Sequence, residues 1–267
     1  MSPDDFPTRF TDVGRGEPAL VFVHGFSCSR ADWDRQVERF SGERRCIAID
    51  LPAHGASPRA AHASIEGCAQ AVDATLEGLG VREVVLVGHS MGCRVVSATW
   101  RRRPARVRGI VHVDGSFMGG DADAFVERIS ARIDAEGIEP FIDAIYRDFF
   151  VEGTPEAVRA FVDARRGDLP RDVARALVLD MGRWDGLHAR ATLASVTVPV
   201  LAVQSTALDG DMRRVPVSGG ALSPFSRALL DGAPHATVET IACGHFTMLE
   251  APDALNDAIG RFLARIG

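Results

Sequence analysis

Val84-Val85-Leu86-Val87-Gly88-His89-Ser90-Met91-Gly92-Cys93-Arg94 joins an apolar run to a Gly-x-Ser-x-Gly turn. An unbroken apolar run of strand length stops at Gly88, and Cys93 to Arg103 behind it read as a helix. Gly-x-Ser-x-Gly between a strand and a helix is a nucleophile elbow. The serine sits at the apex of a sharp turn in strained backbone geometry, with its hydroxyl exposed above the sheet. Gly88 and Gly92, lacking Cβ atoms, let strand and helix approach closely. The helix N-terminus behind Ser90 favours developing negative charge. The plainer alternative is a pair of turn glycines around a helix-capping serine, and the flanking strand and helix favour the elbow.

Ala19 to Val23 and Cys46 to Asp50 are further apolar runs that suit strands buried on both faces of a parallel sheet. Arg9 to Val13 reads as a short edge strand. Helical spacing is expected over Arg30 to Phe40 and over Ser64 to Leu79, the second closed by Gly80. Arg108 to Val113 is the next strand, ending at Asp114. Strands alternating with helices predict a parallel sheet with right-handed crossovers. From Gly119 to about Ser195 the rhythm changes, and four helices are expected, over 124–135, 139–150, 155–165 and 170–181, with no strand. Strands resume at Val198 to Val203 and at Ala236 to Ile241, separated by a short helix from Pro224 to Leu230. Pro252 to Ile266 reads as a terminal amphipathic helix. The Arg101-Arg102-Arg103 run reads as the solvated C-terminus of the elbow helix, where cations complement the dipole.

Composition narrows the function classes. A chain of 267 residues with 46% hydrophobic and 25% charged residues is long enough for one α/β domain with an insertion. Its net charge of -6 gives no reason to expect a nucleic-acid partner. No run approaches the roughly 20 apolar residues of a membrane span, and the first residues carry no signal-peptide pattern. The 5 cysteines include no Cys-x-x-Cys pair, so reduced thiols and a cytoplasmic location are expected. No histidine spacing suits a metal, and no Gly-rich phosphate motif follows a strand, so no metal and no cofactor are expected.

A serine hydroxyl needs a base. His89 is adjacent, but a neighbour in an elbow points elsewhere. His245 lies after the last strand, and loops at strand C-termini gather on one sheet edge, so His245 is expected as the base. The histidine needs a carboxylate to hold its tautomer. Asp209, after the strand that holds Val200 to Val203, is the first choice. Asp114 is the alternative acid, with Asp211 behind both. The oxyanion needs backbone donors, for which Met91 N–H and Phe26 N–H are the candidates. His24 is expected to shape the loop that carries Phe26.

His24-Gly25-Phe26, Asp50-Leu51-Pro52-Ala53-His54-Gly55-Ala56-Ser57, Gly88-His89-Ser90-Met91-Gly92 and Gly244-His245-Phe246 occur in that order. In this order the chain resembles α/β-hydrolase fold proteins over nearly its whole length. The resemblance implies a mostly parallel central sheet with helices on both faces. It implies a core of residues 1–116 and 193–267 and an inserted helical cap over 117–192. It further implies a serine esterase acting on a small-molecule ester, lactone or thioester through an acyl-enzyme on Ser90. A cofactor-free lyase or perhydrolase, or a receptor without turnover, are the alternatives on the same scaffold. Three departures stand out. Ala53 replaces a usual glycine. Ser205 and Leu208 stand where the family's usual glycine and acid would be, leaving Asp209 one residue late, while some members take their acid from the place of Asp114. Cys93 stands where many relatives carry a small residue. Cap arginines such as Arg147 or Arg183 are expected at the solvated surface, though either could meet a substrate carboxylate.

Overall fold

A computed structural model of the chain describes residues 6–59, 63–118, 120–209 and 213–267. Its strands are β1 (Arg9–Val13), β2 (Ala19–Val23), β3 (Cys46–Asp50), β4 (Val84–His89), β5 (Val107–Val113), β6 (Val200–Gln204), β7 (Thr206–Leu208), β8 (Arg214–Pro216) and β9 (Ala236–Thr240). Among the described residues the main sheet runs β1-β3-β2-β4-β5-β6-β9. Only β1 is antiparallel to its neighbour; the other pairings are parallel. Every residue of β2, β3, β4 and β6 is buried, which is what the unbroken apolar runs require of a sheet covered on both faces.

The covering helices are α1 (Asp34–Phe40), α2 (Ile65–Gly78), α3 (Met91–Arg102), α4 (Ala122–Glu136), α5 (Ile138–Asp148), α6 (Glu156–Asp163), α7 (Arg171–Trp184), α8 (Arg190–Ser195), α9 (Pro224–Gly232), α10 (Thr247–Glu250) and α11 (Pro252–Ile266). Ser64 caps α2 by accepting from Gly67 N–H at 3.0 Å, one of the donors a helix start leaves unpaired. The Arg101 to Arg103 run ties α3 to α2: Arg101 pairs with Glu66, and Arg102 and Arg103 reach Asp73. These cations serve a helix–helix contact rather than solvent alone.

All of α4 to α8 lies between β5 and β6. The four helices expected there are present, with a π-helical turn over Asp185–Ala189 and the short α8 in addition. A larger departure follows β6. The sequence reading makes this a loop carrying an acid. The chain instead folds into the antiparallel hairpin β7–β8, pairing Thr206 with Pro216 and Leu208 with Arg214. Asp209 sits past the end of β7 at the hairpin's turn.

Candidate active site

Ser90 occupies the apex between β4 and α3 at φ 52°, ψ −114°. A side chain is held in this sparsely populated region only when its surroundings dictate it. Here they do. A Cβ on Gly88 would stand 2.4 Å from Gly92 O, and one on Gly92 would stand 2.4 Å from Val23 O. Ser90 N–H donates to Val113 O at 3.0 Å. That bond fixes the elbow to the end of β5, one residue before Asp114.

Asp114 also takes a left-handed conformation, φ 46°, which aspartate tolerates better than most residues. The turn aims its buried carboxylate across the sheet edge. Oδ1 accepts from Ser205 N–H at 2.8 Å and Thr206 N–H at 2.7 Å; Oδ2 accepts from Thr206 Oγ1 at 2.5 Å and from His245 Nδ1 at 2.6 Å. Burial pushes this carboxyl above its ordinary range, against the pull of Arg214 and of the Thr206 and Ser205 donors.

This arrangement corrects the sequence reading. The carboxylate on His245 is that of Asp114, not Asp209. Asp209 is exposed, and its carboxylate accepts from Arg213 N–H at 2.9 Å inside its own hairpin. The physical reason lies in residues 205 and 206. Instead of presenting an acid to the histidine, they present backbone N–H groups to Asp114. Asp211 lies outside the described residues.

His245 is buried, and burial followed by the Arg214 guanidinium pushes its imidazolium well below the ordinary range. With Nδ1 bound to Asp114, Nε2 is left on the opposite edge of the ring. Neither Nε2 nor the Ser90 hydroxyl is hydrogen-bonded to another described residue. His89 supports this loop: its Nε2 donates to His245 O at 2.9 Å and its ring lies 4.5 Å from that of His245. Its neighbour position in the elbow therefore turns it toward the histidine loop.

The opposite wall is the loop after β2. His24 donates through Nδ1 to Gly25 O at 2.8 Å and accepts at Nε2 from Leu51 N–H at 2.9 Å, so both nitrogens of a neutral ring are spent on loop shape. Gly25 lies close under the elbow, where a Cβ would come within 3.2 Å of Ser90 Cβ. Phe26 N–H follows it, and Met91 N–H opens α3. Neither donates to a described residue, so two buried donors stay open beside Ser90. Cys93, behind the elbow, is a buried thiol on Gly88 O at 3.1 Å, and burial pushes it up to about 12.

The inserted helices close over this edge. Tyr146 OH and Ser27 Oγ are 2.8 Å apart, and the Phe149 ring lies 5.8 Å from the His245 ring. Behind Phe149 is a cavity of about 220 Å³ whose apolar wall includes Phe125, Phe141, Phe149 and Leu208. Its charged lining is Arg128, Arg132, Arg214 and Asp148. Arg147 and Arg183, the arginines singled out from sequence, are exposed outside that lining. Arg214 was not legible as a site residue, since it opens β8, a three-residue strand that sequence patterning does not reveal. No group of three or more His, Cys, Asp or Glu among the described residues is placed to hold a metal, and no described helix is long and apolar enough to cross a membrane.

Comparison with known proteins agrees with this architecture. The family model described as "Alpha/beta hydrolase family" matches residues 20–258. A thermophilic esterase from Thermogutta terrifontis superposes with a TM-score of 0.77 at 24% identity, covering 97% of this chain and 93% of that one, a likeness of fold. The 3-oxoadipate enol-lactonase 2 of Acinetobacter baylyi is 22% identical over 99% of this chain and 96% of its own. The dihydrolipoyllysine-residue acetyltransferase component of the acetoin cleaving system of Pseudomonas putida is 27% identical over 94% of this chain, which spans only 65% of that protein's length. With the sheet order, the elbow and a family match over most of its length, the chain belongs to the alpha/beta hydrolase family.

Proposed function

We propose that this protein is a serine hydrolase that cleaves a small-molecule carboxylic ester or lactone through an acyl-enzyme on Ser90. The observation that carries the reading is the 2.6 Å contact of His245 Nδ1 with Asp114, set beside a serine held at φ 52°. Asp114 holds the imidazole in the tautomer whose free nitrogen, Nε2, is the base. Ser90 Oγ attacks the carbonyl carbon as its proton passes to Nε2, and the carbonyl oxygen takes the negative charge. The open N–H groups of Phe26 and Met91 receive that oxyanion. The tetrahedral intermediate collapses, the alcohol leaves with the proton from Nε2, and the acyl group stays on Ser90. Water then gives its proton to Nε2 and releases the acid. With a lactone, alcohol and acid leave as one molecule. The nucleophile–base hydrogen bond is one that commonly tightens only with substrate bound.

In this reading residues 117–192 act as a cap that keeps water from the acyl-enzyme. The name of the enol-lactonase relative, aligned over nearly the whole chain, is what adds lactones to esters. The test is covalent. A fluorophosphonate should add one adduct, mapped to Ser90 by peptide mass, and none to Ser90→Ala. The wild type should release acid from p-nitrophenyl butyrate or from an aliphatic lactone. A folded wild-type protein that takes no adduct and cleaves neither would end the hydrolase reading.

A further inference from the structure

We infer that the cavity behind Phe149 is a carboxylate-recognition site, so that the substrate is an ester or lactone with a carboxylate on a short apolar chain. The inference rests on the hydrolase reading above and adds its substrate class.

Arg214 carries it. Its side chain is only 8% exposed, and a guanidinium so placed needs partners for its five N–H donors. Only Nη1 is hydrogen-bonded, to Thr206 Oγ1 at 3.1 Å and to Asp114 Oδ2 at 3.4 Å. Nε and Nη2 have no partner among the described residues, and the residue lines the cavity. A carboxylate fits that open edge, because two parallel N–H donors match its two oxygens. The rest of the lining agrees. Arg214, with Arg128 and Arg132 of α4, is set against one acid, Asp148, so the charged lining is two cations in excess. Arg132 already meets Glu136 at 3.1 Å and the Phe141 ring, and Arg128 is exposed and lies over the Phe125 ring, so Arg214 is the cavity's buried donor set.

The position fits the chemistry. Arg214 and His245 meet the same oxygen of Asp114, and Phe149 is at once a wall of the cavity and a neighbour of the His245 ring. A carbonyl at Ser90 and a carboxylate at Arg214 would therefore lie on one molecule, joined across Phe149. At about 220 Å³ the space is below the roughly 300 Å³ at which pockets for drug-sized ligands begin, and it suits a short chain.

The experiment pairs two esters of equal length, p-nitrophenyl hydrogen glutarate and p-nitrophenyl pentanoate, with calorimetric binding of glutarate itself. Wild type should prefer the charged ester in kcat/KM by about tenfold or more, the worth of a charge-assisted hydrogen bond. Arg214→Gln should erase that preference, with the extra loss appearing in KM for the charged ester, and Arg214→Lys should restore part of it. Asp148→Asn, which removes the cavity's own carboxylate, should tighten glutarate binding. A wild type that favours the neutral ester, or a preference unchanged by both Arg214→Gln and Asp148→Asn, overturns the inference. If neither ester is cleaved, the hydrolase reading fails while the anion site is still decided: glutarate must bind wild type and Ser90→Ala, and absent binding refutes it. Should Arg214→Gln fail to fold, Asp148→Asn carries the test alone.

Discussion

Two buried arginine–aspartate pairs flank the elbow, and they are built differently. Arg94, two residues into α3 from Gly92, meets Asp185 through Nε at 2.8 Å and Nη2 at 2.6 Å, and Nη2 also donates to Ser116 O at 2.6 Å. Asp185 accepts Met118 N–H at 2.8 Å as well. Both side chains are sealed, at 3% and 1% exposure. This closed fork joins the elbow helix to both ends of the helical insertion. Arg214 and Asp114 share a single contact of 3.4 Å, and the guanidinium keeps an open edge toward the cavity. Burial alone therefore does not separate scaffold from site. A pair that satisfies itself serves the fold, whereas one that leaves donors open has room for a ligand.

The largest effect is expected at the closed pair. Arg94→Met leaves the Asp185 carboxylate buried without its cation, which should cost about 3–5 kcal/mol. Urea unfolding would show it as a fall in midpoint at constant slope. Adding Asp185→Leu should recover much of the loss, and no recovery would mean that the pair does not act as a unit.

A buried group with no partner for one of its nitrogens is the opposite extreme. His112 is buried, its Nδ1 is unpaired, and burial pushes its pKa down to about 3. The unfolded chain, with an ordinary histidine near 6.5, then binds more protons, so this contribution is complete above pH 6.5 and is lost as pH falls toward about 3. At pH 5 the penalty is about 2 kcal/mol. His112→Phe should therefore lose less stability than wild type between pH 7 and pH 5, and parallel losses would contradict it. His54, lowered to about 4 by burial, acts in the same direction.

The open pair should respond in rate and pH rather than in fold. Arg214 is second only to burial in pushing the His245 imidazolium down. Arg214→Gln removes a cation, the imidazolium becomes easier to form, and the acid limb of kcat/KM should move to higher pH. Asp114 keeps its Ser205 and Thr206 donors, so the urea midpoint should fall less than in Arg94→Met. A limb that stays in place would show that Arg214 does not act on the base. The smallest effect is expected at Ala53, which holds φ 65° where related loops carry glycine. Ala53→Gly relieves that strain but adds freedom to the unfolded chain, so its stability should stay within about 1 kcal/mol of wild type.

Much of this was legible because long-range order rested on strong local signals. The runs ending at Val23, Asp50 and Val87 lie in buried strands as their patterning requires, and Ser90 and His245 both follow parallel strands whose C-terminal ends share an edge. The helical insertion was also visible, since four helical patterns stand there without a strand. The acid was harder to read. A three-residue strand carries little periodicity, so the β7–β8 hairpin was hidden, and with it the reason that Asp209 turns outward. The conformation of Asp114 depends on tertiary donors at Ser205 and Thr206, about ninety residues away. For the same reason no local pattern singles out Arg214.

In the proposed mechanism Asp114, and not Asp209, completes the machinery around Ser90 and His245. Turnover of p-nitrophenyl butyrate by Asp114→Asn and Asp209→Asn tests it most directly. Asp114→Asn should lower kcat by about 10⁴, the scale seen when a triad histidine loses its orienting carboxylate, and Asp209→Asn should turn over near the wild-type rate. The reverse ranking would contradict it.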